Sequence, residues 1–217
     1  MSARFPHYSR NERRADIGVH VAGLLLAVVA AFWLLVAGSD DVGRAGILGR
    51  SLYVAGLVGM LAFSALYNMS RKPYRKEILR RCDRAAIFLM IAGTCSPFAL
   101  SNTAGGRGVV VFLFVWCLAL SGVALAVLFP RRGDRLAPVL YMALGWGVLI
   151  ALTPLLDAMP VRVVALLLAG GIVYSLGVIL HLARRLPYHN ALWHACVLAA
   201  AGCHYLAVLG SLAPMAA

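Results

Sequence analysis

Ser64 and Asn68 stand four residues apart, and so do Asn190 and His194, so each pair would share one face of a helix. With Asp83 they make up a set of one hydroxyl, one carboxylate, one imidazole and two amides. An imidazole beside a carboxylate can move a proton, order a water or hold a transition metal, and a hydroxyl can steady a developing oxyanion. Amides are weaker partners, offering a metal only a carbonyl oxygen. The plainer alternative is that Asp83 pairs with Arg80, Arg84 or an interfacial lysine while His194 bonds a backbone carbonyl. What separates the two is whether the surrounding segments bring these side chains to one place.

Those segments are apolar. The chain has 217 residues, of which 62% are hydrophobic and 13% charged, with a mean hydropathy of +0.86, too little polar surface to clothe a soluble globule. Seven stretches are long and apolar enough to cross a bilayer: 17–37, 46–67, 85–100, 109–129, 136–152, 163–182 and 190–212. The expected fold is an all-α integral membrane protein, a seven-transmembrane helix bundle formed by residues 17–212, with a lead at 1–16 and a tail at 213–217. Pro130, Pro138, Pro154, Pro160 and Pro187 fall at or near span ends, whereas Pro97 lies inside the third span, where a kink is expected. The first stretch is longer than a signal-peptide core and no convincing small-x-small cleavage site precedes Asp40 and Asp41, so it is expected to stay as an anchor.

Ser64 and Asn68 fall at the end of the second span, Asp83 opens the third, and Asn190 and His194 begin the seventh. In alternating spans these ends share one side of the membrane. Basic residues mark the same side. Of the 20 Lys and Arg, 16 lie in the N-terminal lead and the connections at 71–84, 131–135 and 184–185, leaving only Arg44, Arg50, Arg107 and Arg162 opposite. That asymmetry predicts a cytoplasmic N-terminus and an outside C-terminus. It also accounts for the net charge of +12 through topology and anionic-lipid contact, so no nucleic-acid partner is expected and membrane lipids are. The 5 cysteines form no close pair and read as small packing residues, not as a disulfide framework or zinc knuckle. Gly56, Gly59, Gly145, Gly147, Gly170, Gly171 and Gly177 are candidates for close helix approach.

Longer motifs surround the polar set. The runs Ser64-Ala65-Leu66-Tyr67-Asn68, then Ile91-Ala92-Gly93-Thr94-Cys95-Ser96-Pro97-Phe98 after Asp83, then Tyr141-Met142-Ala143-Leu144-Gly145-Trp146, occur in this order. Gly170-Gly171-Ile172-Val173-Tyr174-Ser175-Leu176-Gly177 and Leu192-Trp193-His194 follow, ending at His204. In order and spacing, from about His20 to His204, the chain resembles the haemolysin III family, the bacterial branch of the progestin and adipoQ receptor superfamily, to which alkaline ceramidases are related.

The resemblance implies a zinc site near the cytoplasmic ends of the second, third and seventh helices. Its pattern has a serine followed four residues later by a histidine, an aspartate holding a zinc-bound water, and two histidines four apart. Here the serine is Ser64, the aspartate Asp83 and the second histidine His194, while the other two histidine positions are held by Asn68 and Asn190. One imidazole with two amides is a poor tetrahedral zinc set, so weak zinc binding or none is expected. Two substitutes are conceivable: His189, one residue and about 100° of helical rotation from Asn190, and Cys82 beside Asp83. His20 and His204 also fall at family positions. His204 lies ten residues, about 15 Å, beyond His194, so it cannot share a metal with it, and interhelical hydrogen bonding is its expected role, with His20 read as a structural polar residue too.

With a complete site the implied reaction would be zinc-dependent hydrolysis of a lipid amide, Asp83 taking the proton of the water and Ser64 helping to hold the oxyanion. The two asparagines favour instead an inner-membrane protein with a non-catalytic or altered site, acting in membrane lipid or energetic homeostasis. A ceramidase-like hydrolase with rearranged ligands is the alternative, and a pore-forming cytolysin a third.

Overall fold

A computed structural model of the protein describes residues 8–36, 43–101, 106–156 and 159–211. Among these residues there are seven helices and no strand: α1 (Arg10–Val36), α2 (Arg44–Met69), α3 (Pro73–Ser101), α4 (Arg107–Leu128), α5 (Pro130–Leu156), α6 (Val161–Leu182) and α7 (His189–Gly210). All seven are long and apolar enough to cross a membrane. The shortest have 22 residues. At 1.5 Å per residue that is about 33 Å, enough for a hydrocarbon core of roughly 30 Å. The chain is a multi-pass membrane protein. Its large outward side chains are apolar, Val29 being 67% and Ile150 73% exposed, as a lipid-facing surface requires.

Several helices overrun the apolar stretches at the basic end. α1 begins at Arg10, seven residues before the expected start, because Ser9 and Glu12 form a reciprocal capping box: Ser9 N donates to Glu12 Oε2 at 2.8 Å and Glu12 N to Ser9 Oγ at 3.2 Å. α3 begins at Pro73 and α5 at Pro130, prolines well suited to a first helical turn. The charged prelude of α3 is held by Glu77, which receives Arg80 Nη2 at 2.7 Å. Asp83 therefore lies well inside α3 and does not open it. The helix continues through Pro97 to Ser101, whose Oγ donates to the Pro97 carbonyl at 2.6 Å. The expected ends at 37 and 212, the tail at 213–217 and residues 1–7 of the lead lie outside the described residues.

α3 is the axis of the bundle. Residues 92–100 are all buried, and α2, α4, α5 and α7 pack around them. α1 closes the circle between α2 and α7, while α6 rests mainly on α7 and only lightly on α5. The α2–α3 contact is close enough to need glycine, since a Cβ on Gly93 would meet Leu52 O at 2.8 Å and one on Gly49 would meet Pro97 Cα at 2.9 Å. Gly56 and Gly177 also sit at close contacts, and Gly170 lies under the His204 ring. Gly59, Gly145 and Gly147 do not belong with them: a Cβ there would meet nothing within 4 Å, because these positions face open space instead of a neighbouring helix.

Candidate functional site

Glu12, Asp16 and His20 succeed one another at intervals of four and so form a stripe down one face of α1. Glu12 fixes this stripe against α7. Its Oε1 accepts the Tyr188 backbone N–H at 3.0 Å, and Tyr188, with φ of 61° in the left-handed region, is the residue that precedes α7. One turn deeper, Asp16 Oδ1 accepts from His194 Nδ1 at 2.5 Å. The Asp16 carbonyl accepts from His20 Nδ1 at 2.7 Å. All three side chains are buried, and the two rings meet edge to face with centroids 4.3 Å apart.

This anchoring dictates where the other ring nitrogens point. With both Nδ1 atoms donating to Asp16, each imidazole presents a bare Nε2, and both face the same hydroxyl: Ser64 Oγ lies 3.2 Å from His20 Nε2 and 3.4 Å from His194 Nε2. Asp83, on α3, lines the same cavity as this hydroxyl. Two bare imidazole nitrogens thus converge on a group that carries a single proton, with a carboxylate on the same wall. Buried as it is, such a set favours a further proton or a cation, and four helices cooperate to build it.

The two asparagines take another course. Asn68 Nδ2 donates to the Ser64 carbonyl at 2.9 Å, one turn back along α2, and Asn190 Nδ2 donates to Asn68 Oδ1 at 3.3 Å. The pair bridges α2 and α7. His189 stays at the rim, half-exposed, its Nδ1 3.2 Å from the Leu186 carbonyl and its ring 5.6 Å from Tyr8. Cys82 is a free, half-buried thiol outside the cluster. His204 sits deep in α7, where its Nε2 lies 3.3 Å from the Leu167 carbonyl of α6 and its ring 5.6 Å from Tyr174.

Ser64, Asp83 and His194 come together, and the polar set opens onto two cavities. One is an apolar chamber of about 120 Å³ reaching from Ser64 and Asp83 past Met90 and Trp146 to His204. The other is a polar vestibule of about 820 Å³ at the basic end, bordered by Asn68, Asn190 and several arginines. Two site residues were not placed here by sequence reasoning. Asp16 lies one residue before the expected first span, and His20 was read as merely structural. The available signal was the i, i+4 spacing of an acidic residue and a histidine at the mouth of an apolar stretch.

A seven-helix membrane protein with a buried carboxylate–imidazole–hydroxyl cluster below one face of the bundle is a recognisable class. Residues 8–205 match the family described as haemolysin-III related, and the chain belongs to it. It is 30% identical over 205 residues to Hemolysin-3 of Bacillus cereus, covering 94% of each chain. It is 31% identical over 203 residues to the Hemolysin-3 homolog of Bacillus subtilis (strain 168), covering 93% of this chain and 95% of that one. The human monocyte to macrophage differentiation factor is more distant, 24% identical over 201 residues, 91% of this chain and 83% of its own.

The ligand set that the family resemblance implies does not fit zinc in this chain. Asn68 Oδ1, the atom that would have to face the metal, accepts from Asn190 Nδ2 at 3.3 Å. Drawing the two amides onto a metal would break a bridge between helices for two weak ligands.

Proposed function

We propose that this protein is a resident of the bacterial inner membrane, with its basic end in the cytoplasm, that acts in membrane lipid or energetic homeostasis through an altered polar site and not as a zinc lipid amidohydrolase. The observation that carries this reading is the hydrogen bond from Asn190 Nδ2 to Asn68 Oδ1, which joins the two amides at the positions where the resemblance calls for imidazoles. Membrane lipids are its partners, because the polar cluster sits at the head of an apolar chamber within the bundle.

The reading is tested by turnover. Purified wild-type protein supplied with zinc and a fluorescent ceramide is expected to release no fatty acid above a Ser64→Ala, Asp83→Asn control. Zinc-dependent release by the wild type would overturn it.

A second reading, a metal-dependent lipid amidohydrolase with rearranged ligands, draws support from one specific feature. Asp16, His20 and His194 are all buried and bring one ligand atom each within 4.8 Å of one another, and two imidazoles with a carboxylate are a competent zinc set. A metal held there would supply Lewis acidity at the head of the chamber. His20→Ala separates the two readings, since only the second needs it for turnover.

A further inference from the structure

The vestibule and the chamber share part of their walls. Asp83, Ile87, Tyr141, Val178 and Trp193 line both, so the two spaces adjoin between α3, α5, α6 and α7. Their chemistry differs sharply. The chamber wall is aliphatic, aromatic and thioether over nearly its whole extent. The vestibule wall carries Lys76, Arg80 and Arg84 from α3 and Arg184 and Arg185 from the connection between α6 and α7; Arg80 is paired with Glu77, leaving four cations against the two carboxylates Glu12 and Asp83.

A positive-inside bias explains basic residues at this end of the bundle, but it asks only that they be near the membrane surface. It does not ask that they gather from two elements around one concavity whose floor adjoins an apolar space. Guanidinium groups converging from different directions suit a compact anion with several oxygens, above all a phosphate, which each can meet through paired N–H donors. A low-polarity floor strengthens that attraction relative to open water. The apolar space behind suits a hydrocarbon chain, and a shared wall of five side chains suits one chain better than two.

We infer that the two cavities form a single binding site for a phosphate-headed, single-chain lipid, its head held in the vestibule by Lys76, Arg84, Arg184 and Arg185 and its acyl chain running past Ile87, Tyr141, Val178 and Trp193 into the chamber. The inference rests on the reading of the chamber as a lipid pocket and names the class of lipid. Ser64 and the imidazoles of His20 and His194 would lie alongside the first carbons of the chain, where head and tail join. Asp83 borders both spaces and so bars a second phosphate from descending into the chamber.

The experiment uses the full-length protein in nanodiscs of zwitterionic lipid and follows quenching of tryptophan fluorescence by brominated acyl chains, Trp193 standing on the shared wall. Three probes are compared: a brominated lysophosphatidate, the matching monoacylglycerol, and inorganic phosphate as a competitor. Lysophosphatidate is expected to bind at least tenfold more tightly than the monoacylglycerol, and phosphate to compete only weakly. Arg184→Gln with Arg185→Gln, both exposed positions, should remove most of that preference and leave the monoacylglycerol affinity unchanged. Equal affinity for the two lipids would overturn the inference while leaving the lipid-pocket reading in place. Phosphate displacing lysophosphatidate as well as unlabelled lysophosphatidate does would also overturn it, marking a free-anion site. Failure of both lipids to bind would overturn the inference and the lipid-pocket reading together.

Discussion

Breaking the contact between Asp16 and His194 gives the sharpest measure of how the cluster is held. The two side chains meet at 2.5 Å, both buried, across α1 and α7. A neutral hydrogen bond between membrane helices contributes on average about 0.6 kcal/mol. A bond to an ionised partner contributes about 1.5–3 kcal/mol, and a carboxylate acceptor on an imidazole N–H belongs to the second group. In a double-mutant cycle of Asp16→Ala and His194→Ala, measured by equilibrium unfolding in mixed micelles, the interaction energy should therefore be near 2 kcal/mol. For a chain of this size 1 kcal/mol corresponds to about 2–4 °C, so the same coupling should appear as about 4–8 °C in thermal unfolding. Asp16→Asn, which keeps an acceptor but removes the charge, should lose about half of it. Additivity of the two alanine variants to within about 0.5 kcal/mol would refute a charge-assisted bond and, with it, the anchoring that aims both Nε2 atoms at Ser64.

Other parts of the structure make their own demands. Reporter fusions after Arg14, Arg84, Arg132 and Arg185 should read as cytoplasmic and those after Asp41, Arg107 and Ala217 as the opposite side, and a cytoplasmic C-terminus would break the seven-span topology. Glu12→Ala removes both the capping box of α1 and the acceptor of the Tyr188 amide, for a loss of about 1–2 kcal/mol, and hydrogen exchange at Tyr188 should speed up. Unchanged protection there would deny Glu12 its part in docking α1 on α7. Gly93→Ala places a methyl 2.8 Å from Leu52 O and should cost about 1–3 kcal/mol, whereas Gly147→Ala meets nothing and should cost none, so equal stabilities would contradict the close α2–α3 packing.

The seven helices were legible because a bilayer imposes length and hydropathy on any helix that crosses it, and both can be read directly from residue order. The helix starts were less so. Arg10 to Arg14 and Tyr74 to Arg84 look like connections by charge, yet a capping box and a proline start them as helix, and their long side chains can reach the interface. That shift hid Asp16, which a hydropathy limit at Ile17 leaves just outside the first span. His20 was visible but lacked a partner until Asp16 was placed four residues before it. Spacing identified Ser64 with Asn68 and Asn190 with His194 as shared faces, but it could not tell which rotamers the amides choose. The bond between Asn68 and Asn190 is a tertiary fact, created by the approach of α2 to α7.

Metal content tests the altered-site account most directly. Wild-type protein purified without chelator, analysed by inductively coupled plasma mass spectrometry beside the Asn68→His, Asn190→His variant, should carry far less than one zinc per chain, with the variant approaching one. Near-stoichiometric zinc in the wild type would contradict the account, and its loss in His20→Ala would then assign the metal to the imidazoles gathered by Asp16.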